Sequence, residues 1–307
     1  MNAFQHGSNV LLLLPQGATV QEFNALCVLL DDPDPHVHQA AQERLIQYGP
    51  SIVPALRAAI ESIHDDDTQQ RMTDVVRYFQ RKAVDDLRTM VYKANAEGKD
   101  IDLEEMFLTL SRFGYPETDE EAVRKELDAI ALRVHSLFMK SPQHTELSLL
   151  LNVNRAFFEE ARFTGADNEH YHNPDNTYVQ AILQTRRGIP ISLCVLYLLV
   201  AERADVVMHG IGMPAHFVVY HPELDIFIDT FGNGAFLSRE DCRRFIQGAG
   251  FTFEPSMLER VSNVAILLRM IRNLVFAYGK MHNRTWEIEA LQELSAAILE
   301  IMNQEEE

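Results

Sequence analysis

The sequence predicts an α+β protein that is mostly helical, and three observations carry that prediction. Apolar residues recur every three to four positions through roughly the first 145 residues, which is the period of an α-helix. The stretch "HFVVYHPELDIFIDTF", residues 216–231, breaks that period: it is β-branched and aromatic, and a short turn divides it into two strands. Just before it, "GIPISLCVLYLLV", residues 188–200, is an apolar run of helix length.

The elements follow in order. "VQEFNALCVLL" places Phe23, Leu26, Cys27 and Leu30 on one stripe. Two prolines in "DDPDPH" break that helix, and Asp34 can cap the next. "VHQAAQERLIQYG" then offers Val37, Ala40, Ala41, Arg44 and Leu45 on one face and stops at Gly49, and "SIVPALRAAI" adds a short apolar helix with Pro54 near its start. Met72, Val75, Val76 and Phe79 mark the stripe of the following long helix. Asp102 with Glu105 three residues on fits a capping box, and Gly114 to Pro116 ends that helix. Leu127, Ile130, Ala131 and Val134 form the stripe of "DEEAVRKELDAIALRVHSLF". "LSLLLNVNRAFFEEARF" is helical, and "TGADNEHYHNPDNTY" is a polar loop leading to the long apolar helix. Beyond the strand pair, Ser238 caps another helix, and from Ser256 the chain ends in two helices, an αα-hairpin.

Composition narrows the function classes. The chain has 307 residues, 47% hydrophobic and 23% charged, an ordinary globular balance. Lys plus Arg number 27 against 45 Asp plus Glu, a net charge of -18. Such a surface repels phosphate backbones and anionic lipid, so neither a nucleic-acid partner nor a membrane is expected. Cys27, Cys194 and Cys242 are an odd number at scattered spacings, which suits a reducing cytoplasm better than a disulfide framework or a zinc site. The segment "MNAFQHGSNVLLLLPQG" has no basic region, and its apolar run is too short for a secretory signal or a span. A cytoplasmic location is expected, with a frayed helix end at "EIMNQEEE".

Cys194, His216 and Asp229 follow one another in the order of a nucleophile, a base and its orienter. If "HPEL" is the hairpin loop, Tyr220 pairs with Asp225 and His216 lies opposite Asp229, with Cβ atoms roughly 5 Å apart. The carboxylate could then accept the Nδ1 hydrogen of the imidazole; the plainer alternative is a His–Asp pair that only stabilises the sheet. Cys194 is flanked by Leu193, Val195 and Leu196 in a helix apolar on every side, which favours a core thiol. Ser192 sits in the first turn, where a hydroxyl more often satisfies the helix terminus than attacks a carbonyl. His170 and His172 form a His-x-His with Asp167 and Asp175 nearby, but a metal needs a third convergent ligand. No metal site and no cofactor are assigned.

The segments "FTGADNEHYHNPDNTYVQAIL", "RRGIPISLCVLYLLVAERADV", "GMPAHFVVY" and "IFIDTFGNGAFLSREDC" resemble the transglutaminase-like superfamily, in particular its SirB-type, invasion-regulator-like branch. The resemblance implies a papain-like core, a helix packed on a small antiparallel sheet, with His216 and Asp229 at the family's His and Asp positions. Active members carry a Gly-x-Cys at the helix start; an ungapped match puts Gly188-Ile189-Pro190 there, so Pro190 takes the nucleophile's place. "LLDDPDP" through "VPAL" resembles one HEAT-type helical repeat unit, and "NVAILLRMIRNLVFAYG" resembles a tetratricopeptide-like tail. The expected organisation is a HEAT-like segment at 1–83, a helical lead-in at 84–145, the transglutaminase-like core at 146–255 and a helical hairpin at 256–307. The expected function is binding of a protein or peptide by a core that has lost its nucleophile. The alternative is a hydrolase or acyltransferase using Cys194 or Ser192 with His216 and Asp229.

Overall fold

The computed structural model describes residues 13–303. The amino-terminal segment up to residue 12 and the tail from residue 304, for which no signal and a frayed end were expected, lie outside the described residues. The chain divides into two compact units, one of Met1–Asp86 with Arg112–Thr118, the other of Leu87–Ser111 with Asp119–Glu307.

The first unit is helical. Helix α1 (Val20–Leu29) starts at Thr19, whose hydroxyl accepts the Glu22 N–H. Helix α2 (Pro35–Gln47) starts at Asp34, which accepts the His36 N–H, with Pro35 in the first turn where its missing donor costs nothing. Helix α3 spans Val53–Ser62, and α4 spans Asp66–Ala96. Their stripes meet in one core that includes Phe23, Leu26, Cys27, Leu30, Leu45, Leu56, Met72, Val75, Val76 and Phe79. On α2, Ala41 and Leu45 are buried, while Ala40 and Arg44 of the expected face are exposed. Arg44 instead pairs with Glu22 at 2.7 Å.

Helix α5 spans Leu103–Gly114, and the Asp102 side chain accepts the Glu105 N–H as the capping pattern predicts. Helix α6 (Glu120–Phe138) buries Leu127, Ile130, Ala131 and Val134. Helix α7 (Glu146–Asn154) passes into a single π-helical turn, Arg155–Glu160, which sequence periodicity did not announce. Within the expected polar loop, a two-residue strand β1 (Thr164–Gly165) pairs in parallel with β2 (Arg187–Gly188). Between them lies a short helix α8 (Val179–Thr185), to which the sequence reading assigns no element. Among the described residues no strand precedes β1.

Helix α9 (Pro190–Arg203) is the long apolar helix, and every residue from Pro190 to Ala201 is buried. It packs on an antiparallel sheet ordered β3-β4-β5-β6: β3 (His209–Ile211), β4 (Val218–His221), β5 (Ile226–Asp229) and β6 (Ala235–Leu237). Helix α10 (Arg239–Gly248) starts at Ser238 in a capping box with Asp241. It closes a second core in which Cys242 and Ile246 meet Ile211, Val218 and Phe227. Helices α11 (Asn263–Tyr278) and α12 (Thr285–Asn303) form the terminal hairpin. The fold is thus α+β and mostly helical, with a helix on a small antiparallel sheet.

The strand register corrects the sequence expectation. Tyr220 pairs with Phe227 and His221 with Ile226, so the loop is residues 222–225 and the pairing is displaced by two positions. Asp225 cannot join the strand: its φ is +50°, and its carboxylate accepts from the Tyr220 hydroxyl at 2.8 Å and pairs with Arg239. A shift of two keeps every side chain on its face, whereas a shift of one would have reversed them.

Candidate functional site

The amino end of β4 and the carboxyl end of β5 bring His216 and Asp229 together. His216 lies two residues before β4, and Asp229 is the last residue of β5. Their contact is therefore a diagonal across the end of the hairpin, not the directly opposed pair expected. The His216 Nε2 stands 2.9 Å from Asp229 Oδ1, so Nε2 takes the place expected of Nδ1. The same Oδ1 accepts the backbone N–H groups of Phe231 and Gly232 at 3.1 and 3.0 Å. Asp229 thereby folds the following turn as well as orienting the imidazole. Burial pushes its carboxyl up, but the bonds from His216, Gly232 and Phe231 outweigh that and hold it below the ordinary carboxylate value.

His216 is 7% exposed and sits between rings: Phe245 of α10 lies 4.9 Å from it and Phe231 6.4 Å. Its backbone carbonyl accepts from Arg269 Nη2 of α11 at 2.7 Å. The rings continue outward, from Phe231 to Tyr171 at 5.8 Å, from Tyr171 to His172 at 5.2 Å, and from His172 to Phe276 at 5.0 Å. Phe245 and Phe276, at the two ends, are exposed.

The candidate nucleophiles are placed differently. Pro190 is the first residue of α9, where the helix's free N–H groups would otherwise serve an anion. Ser192 is fully buried; its hydroxyl donates to the Asn176 carbonyl at 2.6 Å and accepts the Ile189 N–H at 3.1 Å. Those two bonds use its donor and close the amino end of α9. Cys194, also at 0% exposure, has its sulfur 3.0 Å from the Thr230 hydroxyl and 3.5 Å from the Phe217 carbonyl. It thus touches the residue next to each member of the His–Asp pair, and its hydrogen-bond partners are those residues. Burial pushes its thiol well above the usual cysteine value, which leaves almost no thiolate at neutral pH. Cys27 and Cys242 are buried too, their thiols raised to about 12 and about 11 by burial.

The His-x-His pair does not converge. His170 Nδ1 faces Asp167 at 2.7 Å, while His172 packs on Tyr171 and Phe276. Among the described residues no group of three or more His, Cys, Asp or Glu could hold a metal ion. Nor is any described helix long and apolar enough to cross a membrane.

Sequence reasoning missed Phe231, Phe245 and Arg269 as neighbours of His216. Phe245 and Arg269 come from helices far along the chain, and no local pattern ties them to the hairpin. Arg269 did carry a signal, as one of two arginines three apart in an otherwise apolar helix with no acid, "NVAILLRMIRNLVFAY".

A buried helix start packed on an antiparallel sheet, with a His–Asp pair at the strand ends, is the arrangement that the transglutaminase-like resemblance implies. Residues 121–272 match the family model described as transglutaminase-like superfamily, and the chain carries a domain of that superfamily. A UPF0162 protein of Xylella fastidiosa (strain 9a5c) is 33% identical over 135 residues, 41% of this chain and 48% of that protein. F-box only protein 21 of Mus musculus is 32% identical over 172 residues, 50% of this chain and 27% of that protein. A UPF0162 protein of Vibrio cholerae is 27% identical over 178 residues, 56% of this chain and 64% of that protein. The chain thus spans about half the length of the first curated relatives it matches, 48%. No solved structure matches it.

Proposed function

We propose that this chain is a non-catalytic transglutaminase-like protein of the SirB type that binds a protein or peptide partner on the face carrying His216. The observation that carries the reading is the first turn of α9. Pro190 opens the helix at the position that an ungapped match to the family's Gly-x-Cys gives the nucleophile, and the two side chains that could replace it, Ser192 and Cys194, are sealed and hydrogen-bonded inward. A nucleophile must meet its substrate, so a thiol or hydroxyl at 0% exposure does not serve as one. The line of rings from Phe245 through His216 to Phe276 supports the binding role, because aromatic side chains offer large contact area at small entropic cost. In this reading the HEAT-like and tetratricopeptide-like helices each offer further binding surface, in the cytoplasm.

The rival is a cysteine or serine hydrolase or acyltransferase, favoured by the intact His216–Asp229 pair. Two measurements separate them. Iodoacetamide applied to the folded chain at pH 7 should leave Cys194 unmodified over hours, and peptides selected on the full chain by phage display should lose at least about tenfold in affinity with Phe245→Ala. Rapid alkylation of Cys194 that depends on His216, or selected peptides indifferent to Phe245→Ala and Phe276→Ala, would overturn the proposal.

A further inference from the structure

We propose that the groove between α11 and α12, beside Arg269 and Arg272, is a binding site for a medium-chain aliphatic carboxylate. The groove encloses about 480 Å³, within the range of small-molecule sites. Leu268 and Val275 of α11 and Leu299 of α12 give it apolar walls, and Arg269 and Arg272 stand among them. The chain carries 45 acidic against 27 basic side chains, so most of its arginines find a carboxylate. These two do not: among the described residues Arg269 has only the His216 carbonyl and the face of Phe217, and neither arginine has an acidic partner.

The sequence explains the vacancy. Helix α11, Asn263–Tyr278, contains no acid, and α12 faces the groove with Gln292, Ser295 and Leu299. Two cations three residues apart on one helix repel one another. Burial, reinforced by the Arg272 charge, already pulls Arg269 below the ordinary guanidinium value. A carboxylate at the groove would relieve both effects, since charge-assisted bonds to guanidinium are among the strongest available. Arg269 Nη2 is committed to the His216 carbonyl, and its Nη1 lies 3.4 Å from where a Cβ on Gly212, another residue of the groove lining, would stand. The rest of the lining is mainly alkyl, with Gln292 and Ser295 the polar side chains on α12. That lining suits an alkyl chain better than a peptide backbone, whose amides would each need a partner. The inference does not depend on the partner reading, because the ligand is small and the groove lies between two terminal helices.

Isothermal titration of the full chain with sodium octanoate at pH 7 tests it, with acetate and octanol as the two controls. Octanoate should bind saturably below about 1 mM. Acetate, which lacks the tail, and octanol, which lacks the charge, should each bind at least about tenfold more weakly. Arg272→Gln, at an exposed position that folding tolerates, should weaken octanoate about tenfold. Ser295→Trp should fill the groove and abolish binding, in a variant whose thermal melt by circular dichroism matches the parent. No saturable binding of octanoate would overturn the proposal, as would acetate or octanol binding as tightly, or affinity unchanged in both variants.

Discussion

Cys194 and Asp229 are neighbours through Thr230, yet their surroundings drive them in opposite directions. The thiol meets a hydroxyl, a carbonyl and apolar side chains, none of which stabilises a thiolate enough to offset burial. Replacing the sulfur in Cys194→Ser should cost roughly 1–3 kcal/mol in urea denaturation, the range for an imperfectly paired buried hydroxyl. A stabilised variant would show that the position already favours an oxygen. The carboxylate, by contrast, accepts three donors on one oxygen, and Asp229→Ala should cost roughly 2–4 kcal/mol at pH 7 by orphaning them. The sign with pH follows from the lowered value in the folded state. Its share of stability is fully present above the unfolded carboxyl value, about 3.9, and is lost as pH falls through the lower folded value. Parent and variant should therefore converge in stability below about pH 4. A gap that stays constant into acid would mean the carboxylate charge contributes nothing.

At the scale of elements, the sequence announced what is local and misplaced what is not. Caps at Asp34, Asp102 and Ser238 are side-chain bonds to the backbone within three residues, and each forms as the pattern implies. The hairpin was legible as a hairpin, and the face of His216 was right. The register slipped by two because Asp225 leaves the strand, with a positive φ and its carboxylate held by Arg239 of the next helix, a contact that no local pattern marks. The rings around His216 were illegible for the same reason. The next turn shows how much one backbone angle can specify. Asn233 and Gly234 both have positive φ, +55° and +79°, the twist that a tight connection between β5 and β6 requires. A Cβ on Gly234 would also stand 2.5 Å from the Phe158 ring, beside Asn154, whose side chain bonds the Gly234 carbonyl. Gly234→Ala should lower stability by roughly 1–3 kcal/mol, read as a fall in Tm, with the β5–β6 amides exchanging faster. An unchanged Tm would mean that the turn and Phe158 relax without cost.

At the scale of the molecule, the question is whether the terminal hairpin is an arm on the transglutaminase-like domain or part of its core. The sequence expectation set residues 256–307 apart as a segment. Helix α11, however, buries Val264, Ile266, Leu267, Met270, Ile271 and Leu274. It also places the Tyr278 hydroxyl 2.8 Å from that of Tyr178, both inside the fold and 100 residues apart in sequence. Six buried aliphatic side chains at about 1.5–3 kcal/mol each give a gross contribution of about 9–18 kcal/mol, as large as the net stability of a typical domain. A chain ending at Ser262 should therefore lose its cooperative thermal transition and its near-ultraviolet circular dichroism, even though β3 to β6 and α9 remain encoded in it. Tyr278→Phe in the full chain should cost only about 1–2 kcal/mol, because it removes the hydroxyl and no apolar surface. The two together separate packing from hydrogen bonding. A truncated chain that still melts sharply near the parent Tm would make the hairpin an appended arm, and the domain would then end before α11.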